Sequence, residues 1–397
     1  MNRYQKLRKN FCSNKVRMAN KVIRSIIRFS SWFKVATLVC LISLLLAYLC
    51  PFIHPGTFWL LPFFGLAYPI IFLFSLLFLI IWTIVKSKWA IVVLIVILIG
   101  GKLHFRMVAT GANEENAPPI EETLHLMSYN VRLFGLYNTD PSTAIATRDS
   151  IFSYIKSENP DVICFQEFYH QDKPTNFSTR ETLREILNTK DYHERYSHKL
   201  AGRKNFGVAM LSKYPMISKG DVAFFDGDDN DDNYCIFGDI VKGIDTFRIY
   251  SVHLQSIKFK KDDYAVFGDT RQNSEFKKSN VRLMLDKLRI AYPKRAEQAL
   301  VVMKHIATSP YPVIICGDFN DTPMSYTYSQ FNKSLIDAFR NCSIGIGPTY
   351  AGRVPAGRID YVFHSPILNS VEFKIQNEIY SDHRAVSCRI YKTKQID

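Results

Sequence analysis

Val35–Ile53 is 19 residues without a charge, and Phe58–Val85 is 28, broken only by Pro62 and Pro69. Each exceeds the roughly 18 apolar residues that argue for a membrane-crossing helix. Trp32, Trp59, Trp82 and Trp89 fall at or near the segment ends, where interfacial aromatics are expected. A third apolar run, Trp89–Gly101, has 13 residues between Lys88 and Lys102. At 1.5 Å per residue it reaches about 20 Å, short of a hydrocarbon core of about 30 Å. It becomes a full span if Lys102, His104 and Arg106 snorkel while Leu103, Phe105 and Met107 extend the helix. An interfacial helix is the alternative. The spans are therefore placed at about 35–53, 58–85 and 89–108, after a basic N-terminus over 1–34.

Charge follows the same division. The 397-residue chain has 50 Lys+Arg against 36 Asp+Glu, a formal +14. No acidic residue precedes Glu114, and residues 1–108 hold fourteen basic ones, so 50 − 14 leaves 36 in the remainder, against all 36 acidic residues. The excess belongs to the apolar part and reads as membrane topology, not as a polyanion footprint. Ten basic residues precede the first span, none lies in Pro51–Thr57, and Lys86 and Lys88 lie in the second loop. That alternation puts the N-terminus in the cytoplasm. Three spans then place everything after about Ala109 on the exoplasmic or periplasmic side of a plasma or inner membrane; two would leave it cytoplasmic. A cleaved signal peptide is rejected, since its basic region would exceed 30 residues and no small-x-small site follows.

Residues 109–122 (ATGANEENAPPIEE) read as a linker, and 123–397 as one α/β domain. Strands are expected at Leu124–Asn130, Asp161–Phe165, Phe206–Ser212, Phe247–Leu254, Val313–Gly317, Ile359–His364 and Ala385–Tyr391. Helices are expected at Arg148–Lys156, Phe177–Leu187 and Arg295–Ala307. The five cysteines of this part are odd in number, and three sit in apolar strand-like runs, so buried free thiols are expected.

Several of these strands end in polar residues unsuited to a core: Asn130, Glu167, His253, Asp318 with Asn320, Asp360, and Asp382 with His383. Taken singly, each reads as a turn, a cap or a satisfied core group. Together they would meet at one edge of a sheet. Oxygen-rich donors of this kind suit Mg²⁺ or Mn²⁺, and no CxxC pair supports zinc. A His–Asp pair supplies a base with a fixed tautomer. No Ser or Cys stands out as a nucleophile, which favours in-line attack by water.

YNVRLF, FQEF, GVAMLSKYP, YSVHLQS, CGDFNDTP, RIDYVF and SDHRAV, in that order, resemble the endonuclease/exonuclease/phosphatase superfamily over about Leu124–Tyr391. That superfamily includes deoxyribonuclease I, abasic-site endonucleases, inositol-polyphosphate 5-phosphatases and neutral sphingomyelinases. The resemblance implies an α/β class fold, a four-layer sandwich of two packed mixed sheets flanked by helices, here preceded by an all-α transmembrane region. It implies that Glu167 holds the divalent metal, helped by Asn130, with Asp382 facing it. It further implies that Asp318 and Asn320 position the attacking water and the phosphate. His253 would donate to a phosphoryl oxygen, and His383, oriented by Asp360, would act as base or transition-state stabiliser. Whether Asp318 or His383 takes the water's proton stays open.

Two segments depart from the pattern. Ser256–Lys294 is long for a connector and, with Arg295, holds eleven basic residues; a solvated helical excursion and a polyanion or headgroup contact are the two readings. Asp226–Asn233 (DGDDNDDN) lacks the sixth-position Gly and the terminal Glu of an EF-hand calcium loop and reads as a solvated hairpin tip. Three functions follow, in order: a membrane-anchored phosphoesterase acting on a lipid headgroup or another exoplasmic phosphoester, a membrane-anchored nuclease acting on DNA or RNA, and a non-catalytic module on the same fold. Beyond the bilayer and the substrate, no obligate protein partner is evident.

Overall fold

The uncharged runs form three helices. In a computed structural model, which describes residues 31–111, 118–138, 140–224, 233–257, 274–352 and 357–393, they are α1 (Ser31–Leu49), α2 (Leu61–Ile84) and α3 (Trp89–Gly100). A 3₁₀ segment, Gly101–Arg106, continues α3, so the third apolar helix runs 18 residues, Trp89–Arg106. All three are long and apolar enough to cross a membrane. The residues up to Tyr48, with Ala67–Gly101, form one compact unit. Two polar pairs bond between its helices: Trp82 Nε1 donates to Thr37 Oγ1 at 3.0 Å, and Cys40 Sγ lies 3.3 Å from Ser75 Oγ. Leu38, Ile42, Leu73, Phe74, Leu77, Ile95 and Leu98 point outward. An apolar exterior over a bonded interior is what lipid requires of a helix.

The second unit comprises Leu49–Leu66 and Lys102–Asp397. In chain order its strands are β1 (Ala109–Thr110), β2 (Leu124–Asn130), β3 (Val162–Gln171), β4 (Asp191–Leu200), β5 (Lys204–Ser212), β6 (Met216–Val222), β7 (Tyr234–Lys242), β8 (Asp245–His253), β9 (Val313–Asp318), β10 (Ile336–Asp337), β11 (Ile344–Gly345), β12 (Asp360–His364), β13 (Leu368–Ile375) and β14 (Val386–Lys392). Its helices are α4 (Pro141–Glu158), α5 (Thr179–Leu187), α6 (Ser274–Ile306), α7 (Tyr326–Asn332) and α8 (Ala338–Cys342). Helix α4 starts where Asp140 caps it, accepting from Thr143 N at 3.0 Å with Pro141 at the first position, and stops at Asn159 with φ 48°.

Two six-stranded sheets result, ordered β13-β14-β2-β3-β5-β4 and β10-β12-β9-β8-β7-β6. Each is mixed, with one parallel pair, β2/β3 in the first and β8/β9 in the second. Alternation along the strands builds the layers. Leu126, Cys164, Met210, Ile249, Ile314, Cys316, Val362 and Cys388 fill the space between the sheets. Their neighbours Met127, Ile163, Phe165 and Leu211 pack on Ile151 and Ile155 of α4 and Leu183 of α5. On the far side Tyr250, Val252, Ile315 and Phe363 meet Ala299 and Val302 of α6 and Phe331 of α7. The architecture is thus the four-layer α/β sandwich, with apolar helices preceding it. Strands buried on both faces read as continuous apolar runs, which is why the central ones were legible.

Leaving aside the two-residue β1, β10 and β11, the strands absent from the sequence reading are β4, β6, β7 and β13. Three of these are sheet edges, and edges carry charge to discourage pairing with other chains. The β4 sequence, DYHERYSHKL, has no apolar alternation at all. Cys164, Cys235, Cys316, Cys342 and Cys388 are buried free thiols, as expected. The latter half of the basic segment is helical, in α6. Residues 258–273, Asp226–Asp232 of the acidic run and 112–117 of the linker lie outside the described residues.

Candidate active site

The polar strand ends do converge, by a rule slightly different from the expected one. Asn130, His253 and Asp318 close β2, β8 and β9 at their C-terminal ends. Asp360 instead opens β12, and His383 lies just before β14. Because β12 runs antiparallel to β9, Asp360 pairs directly with Asp318. Likewise β14 runs antiparallel to β2, with Val386 opposite Ser128. Strand starts and strand ends therefore meet at one edge.

Asn130 is the hub. Its Nδ2 donates to Asp318 Oδ2 at 3.1 Å and reaches Glu167 Oε1 at 3.4 Å, while its Oδ1 accepts from Arg132 N at 3.1 Å. Glu167 is carried by a bulge in β3: Phe165 pairs with Ala209 and Phe168 with Gly207, so two residues oppose one. Its φ of 49° is the local strain that re-aims the carboxylate out of the pleat. Gly317 has φ 147°, and a Cβ there would lie 1.9 Å from the Val252 carbonyl oxygen, so the Gly of GDFN lets β9 lie close enough to β8 to bring Asp318 beside His253.

Asp318, 1% exposed, accepts from Asn320 N at 2.8 Å through Oδ1. Its Oδ2 lies 3.7 Å from His253 Nε2 and 3.6 Å from His383 Nε2. Asn320, itself at φ 53°, donates from Nδ2 to Leu254 O at 3.0 Å, tying the GDFN turn to the His253 strand end. His383 Nδ1 faces both oxygens of Asp360 at 3.0 and 3.1 Å. Ser381 Oγ donates to Asn130 O at 2.8 Å and so fixes the Asp382–His383 turn over β2. The structure brings all eight expected residues to this edge.

The site crowds buried carboxyl groups together. Burial, reinforced by Asp382, pushes the Glu167 carboxyl up to about 7, with His383 and Asn130 pulling the other way. Burial likewise raises Asp318. Burial would lower His383, but Asp360 and Asp318 beside it carry it well above the ordinary imidazole range. A carboxylate crowded by another in a buried place is stabilised by positive charge. The carboxylates there, Glu167 and Asp382, are hard oxygens of the type Mg²⁺ and Mn²⁺ prefer, while Asn130 turns its Nδ2 to Glu167 and its Oδ1 to Arg132 N. Asp318, Asp360 and His383 also place one donor atom each within 4.8 Å of one another. Both Asp360 oxygens are engaged by His383, however, so that trio reads better as a proton-handling array than as a cation cage.

Sequence reasoning missed several residues here. Arg132 Nε lies 3.6 Å from Asp382 Oδ2 with its side chain 58% exposed, the only signal being its place in YNVR. Tyr350 sets its ring edge-on to His383 at 5.1 Å. Thr349 Oγ1 accepts from Asp360 N at 3.0 Å. Gln166, fully buried, donates to Ser251 Oγ at 3.2 Å and shares a contact with Ser128, bridging the two sheets beneath the site. Polar groups inside apolar strands announce nothing until their partners across the sandwich are known.

Residues 127–383 match the endonuclease/exonuclease/phosphatase family. The chain belongs to that family. Its members are phosphoesterases and nucleases, and they are generally divalent-metal dependent. Residues 30–107 match a second family, described only as a domain of unknown function (DUF8431). No curated protein matches the chain. Similar solved structures include the family member from Beutenbergia cavernae DSM 12333, at 17% identity, covering 68% of this chain and 72% of that one with a TM-score of 0.48. A member from Bacteroides vulgatus stands at 17% identity, 68% and 99% coverage and a TM-score of 0.49. The mannosyl-6-phosphatase of Bacteroides thetaiotaomicron stands at 17%, 67% and 99%, with a TM-score of 0.47.

Proposed function

We propose that the chain is a membrane-anchored, divalent-metal-dependent phosphoesterase that hydrolyses a lipid headgroup or another exoplasmic phosphoester by in-line attack of water. The observation that carries this reading is the meeting of Glu167, Asn130 and Asp318 with the His383–Asp360 pair at one sheet edge.

The residues divide the work by position. Glu167, with Asn130 and Asp382 beside it, would hold a Mg²⁺ or Mn²⁺ ion, which supplies positive charge against the phosphoryl oxygens. Asp318 and Asn320 orient the water and the phosphate. His253, on the other flank of Asp318, donates to a phosphoryl oxygen. Asp360 holds the His383 ring so that Nε2 faces Asp318; an imidazole kept protonated by these two carboxylates donates and stabilises charge, which leaves Asp318 to accept the water's proton. Orientation of the reacting atoms is the larger part of such catalysis.

The three apolar helices support an anchor, and the basic residues before α1 and between α2 and α3 support a cytoplasmic N-terminus with the catalytic unit outside. A nuclease is the second reading, favoured by the basic residues leading into and along α6. The discriminating experiment gives the full chain, in lipid nanodiscs with Mg²⁺, mixed phospholipid vesicles and supercoiled plasmid together, with Glu167→Ala as control. Headgroup release without nicking supports the lipid reading; nicking without release replaces it with the nuclease.

A further inference from the structure

Residues 49–66 join α1 to α2, yet they share a compact unit with the sandwich. They are packed into it. Cys50 is 2% exposed and Leu61 fully buried. His54 sets its ring edge-on to Tyr326 at 5.1 Å and its Nε2 3.2 Å from Glu297 Oε1. The Arg289 guanidinium lies over Trp59 at 4.9 Å, and Phe63 meets Tyr292 edge-on at 5.9 Å. A Cβ on Gly65 would stand 2.6 Å from Cys50 Sγ and 3.2 Å from the Met324 carbonyl oxygen. A loop resting on a domain by proximity explains neither that close backbone approach nor the buried Cys50. The segment after α3 is built in as well: Arg340 Nε donates to Phe105 O at 2.8 Å and Arg358 Nη2 to Arg106 O at 3.1 Å.

Helix α6 carries these contacts toward the chemistry. Buried Tyr292 lies 5.0 Å from the guanidinium of Arg295, the next turn of the helix. Arg295, 1% exposed, donates from Nε to Gln255 O at 2.6 Å and holds Nη1 3.9 Å from Asp321 Oδ2. Gln298, one turn further, accepts from Gln255 N at 2.8 Å. Gln255 follows His253 by two residues and Asp321 follows Asn320 directly. One buried arginine therefore grips both loops that end in the phosphate-facing residues.

We infer that the 49–66 hairpin is a structural part of the catalytic domain, docked on α6 and the start of α7, and that Arg295 is the positioning residue through which that docked helix fixes His253 and Asn320. A corollary rests on the membrane reading above: the hairpin and the segment after α3 lie on the same side of the bilayer, so α3 crosses it and the spans number three. The docking itself does not depend on any activity.

The test uses the full chain in nanodiscs. His54→Cys with Glu297→Cys, treated with a short bismaleimide, gives an intramolecular cross-link between the peptides carrying 54 and 297, identified by mass spectrometry. Neither single variant gives it; its absence in the double variant overturns the docking. Arg295→Met lowers kcat roughly 10- to 100-fold with KM within about twofold, and Arg295→Lys recovers part of the loss. An unchanged kcat in both overturns the positioning role, and if the Met variant fails to fold the Lys variant alone decides. Cross-linking in the double variant, together with a wild-type chain that hydrolyses no phosphoester, would sink the proposed function and leave the docking standing.

Discussion

His383 and Asp360 face each other with Nδ1 3.0 Å from Oδ2, both side chains buried. The contact leaves Nε2 as the working nitrogen and turns it to Asp318. Asp360→Asn keeps the shape and removes the charge that holds the ring. We expect kcat to fall about 10²- to 10⁴-fold, with His383→Ala at least as severe and the fold retained by circular dichroism. A wild-type rate in either variant would remove the pair from the chemistry.

Metal-free stability should depend on pH through Glu167. Its folded pKa is raised from 4.5 to about 7, so the folded protein binds the proton more tightly than the unfolded chain. Stability from this group is full below about 4.5 and is lost as pH rises to about 7, by roughly 3 kcal/mol at most. In EDTA, Glu167→Gln should flatten the fall of Tm across that window, and added Mg²⁺ should raise Tm of the wild type but not of the variant. Parallel Tm curves for the two proteins would contradict the crowded-carboxylate reading.

Gly317→Ala places a methyl against the Val252 carbonyl at 1.9 Å. The β8–β9 pair must part, at a cost of about 3 kcal/mol or more, and Asp318 moves off His253. Denaturant unfolding should show the loss together with abolished turnover. A stable, active variant would mean the strand pairing is looser than the geometry indicates.

The central strands and the eight polar residues that converge at one sheet edge are legible because their sequences are extreme. Leu124–Asn130 and Val313–Asp318 are wholly buried runs that end abruptly in a polar group. Edge strands such as β4 are not, since solvent-facing charge erases the period that reveals a strand. Arg295 was counted as part of a basic stretch, and only the fold shows it buried between two loops. The role of Gln166 was hidden for a related reason, its partner Ser251 being 85 residues away in the other sheet.

Topology gives a prediction of its own. In intact cells making the full chain, a protease added outside should cut after Ala109, while the basic segment before α1 stays protected until lysis. Protection of the catalytic domain, with cleavage only after lysis, would reverse the orientation read from the basic residues.

The most direct test of the central claim is hydrolysis of an activated phosphodiester, bis(p-nitrophenyl) phosphate, by the full chain in nanodiscs, titrated with Mg²⁺ and Mn²⁺ after EDTA treatment. The account predicts turnover that vanishes in EDTA, returns with the ion and is absent in Glu167→Ala. Turnover that persists in EDTA, or that survives in Glu167→Ala within a few-fold, would contradict it.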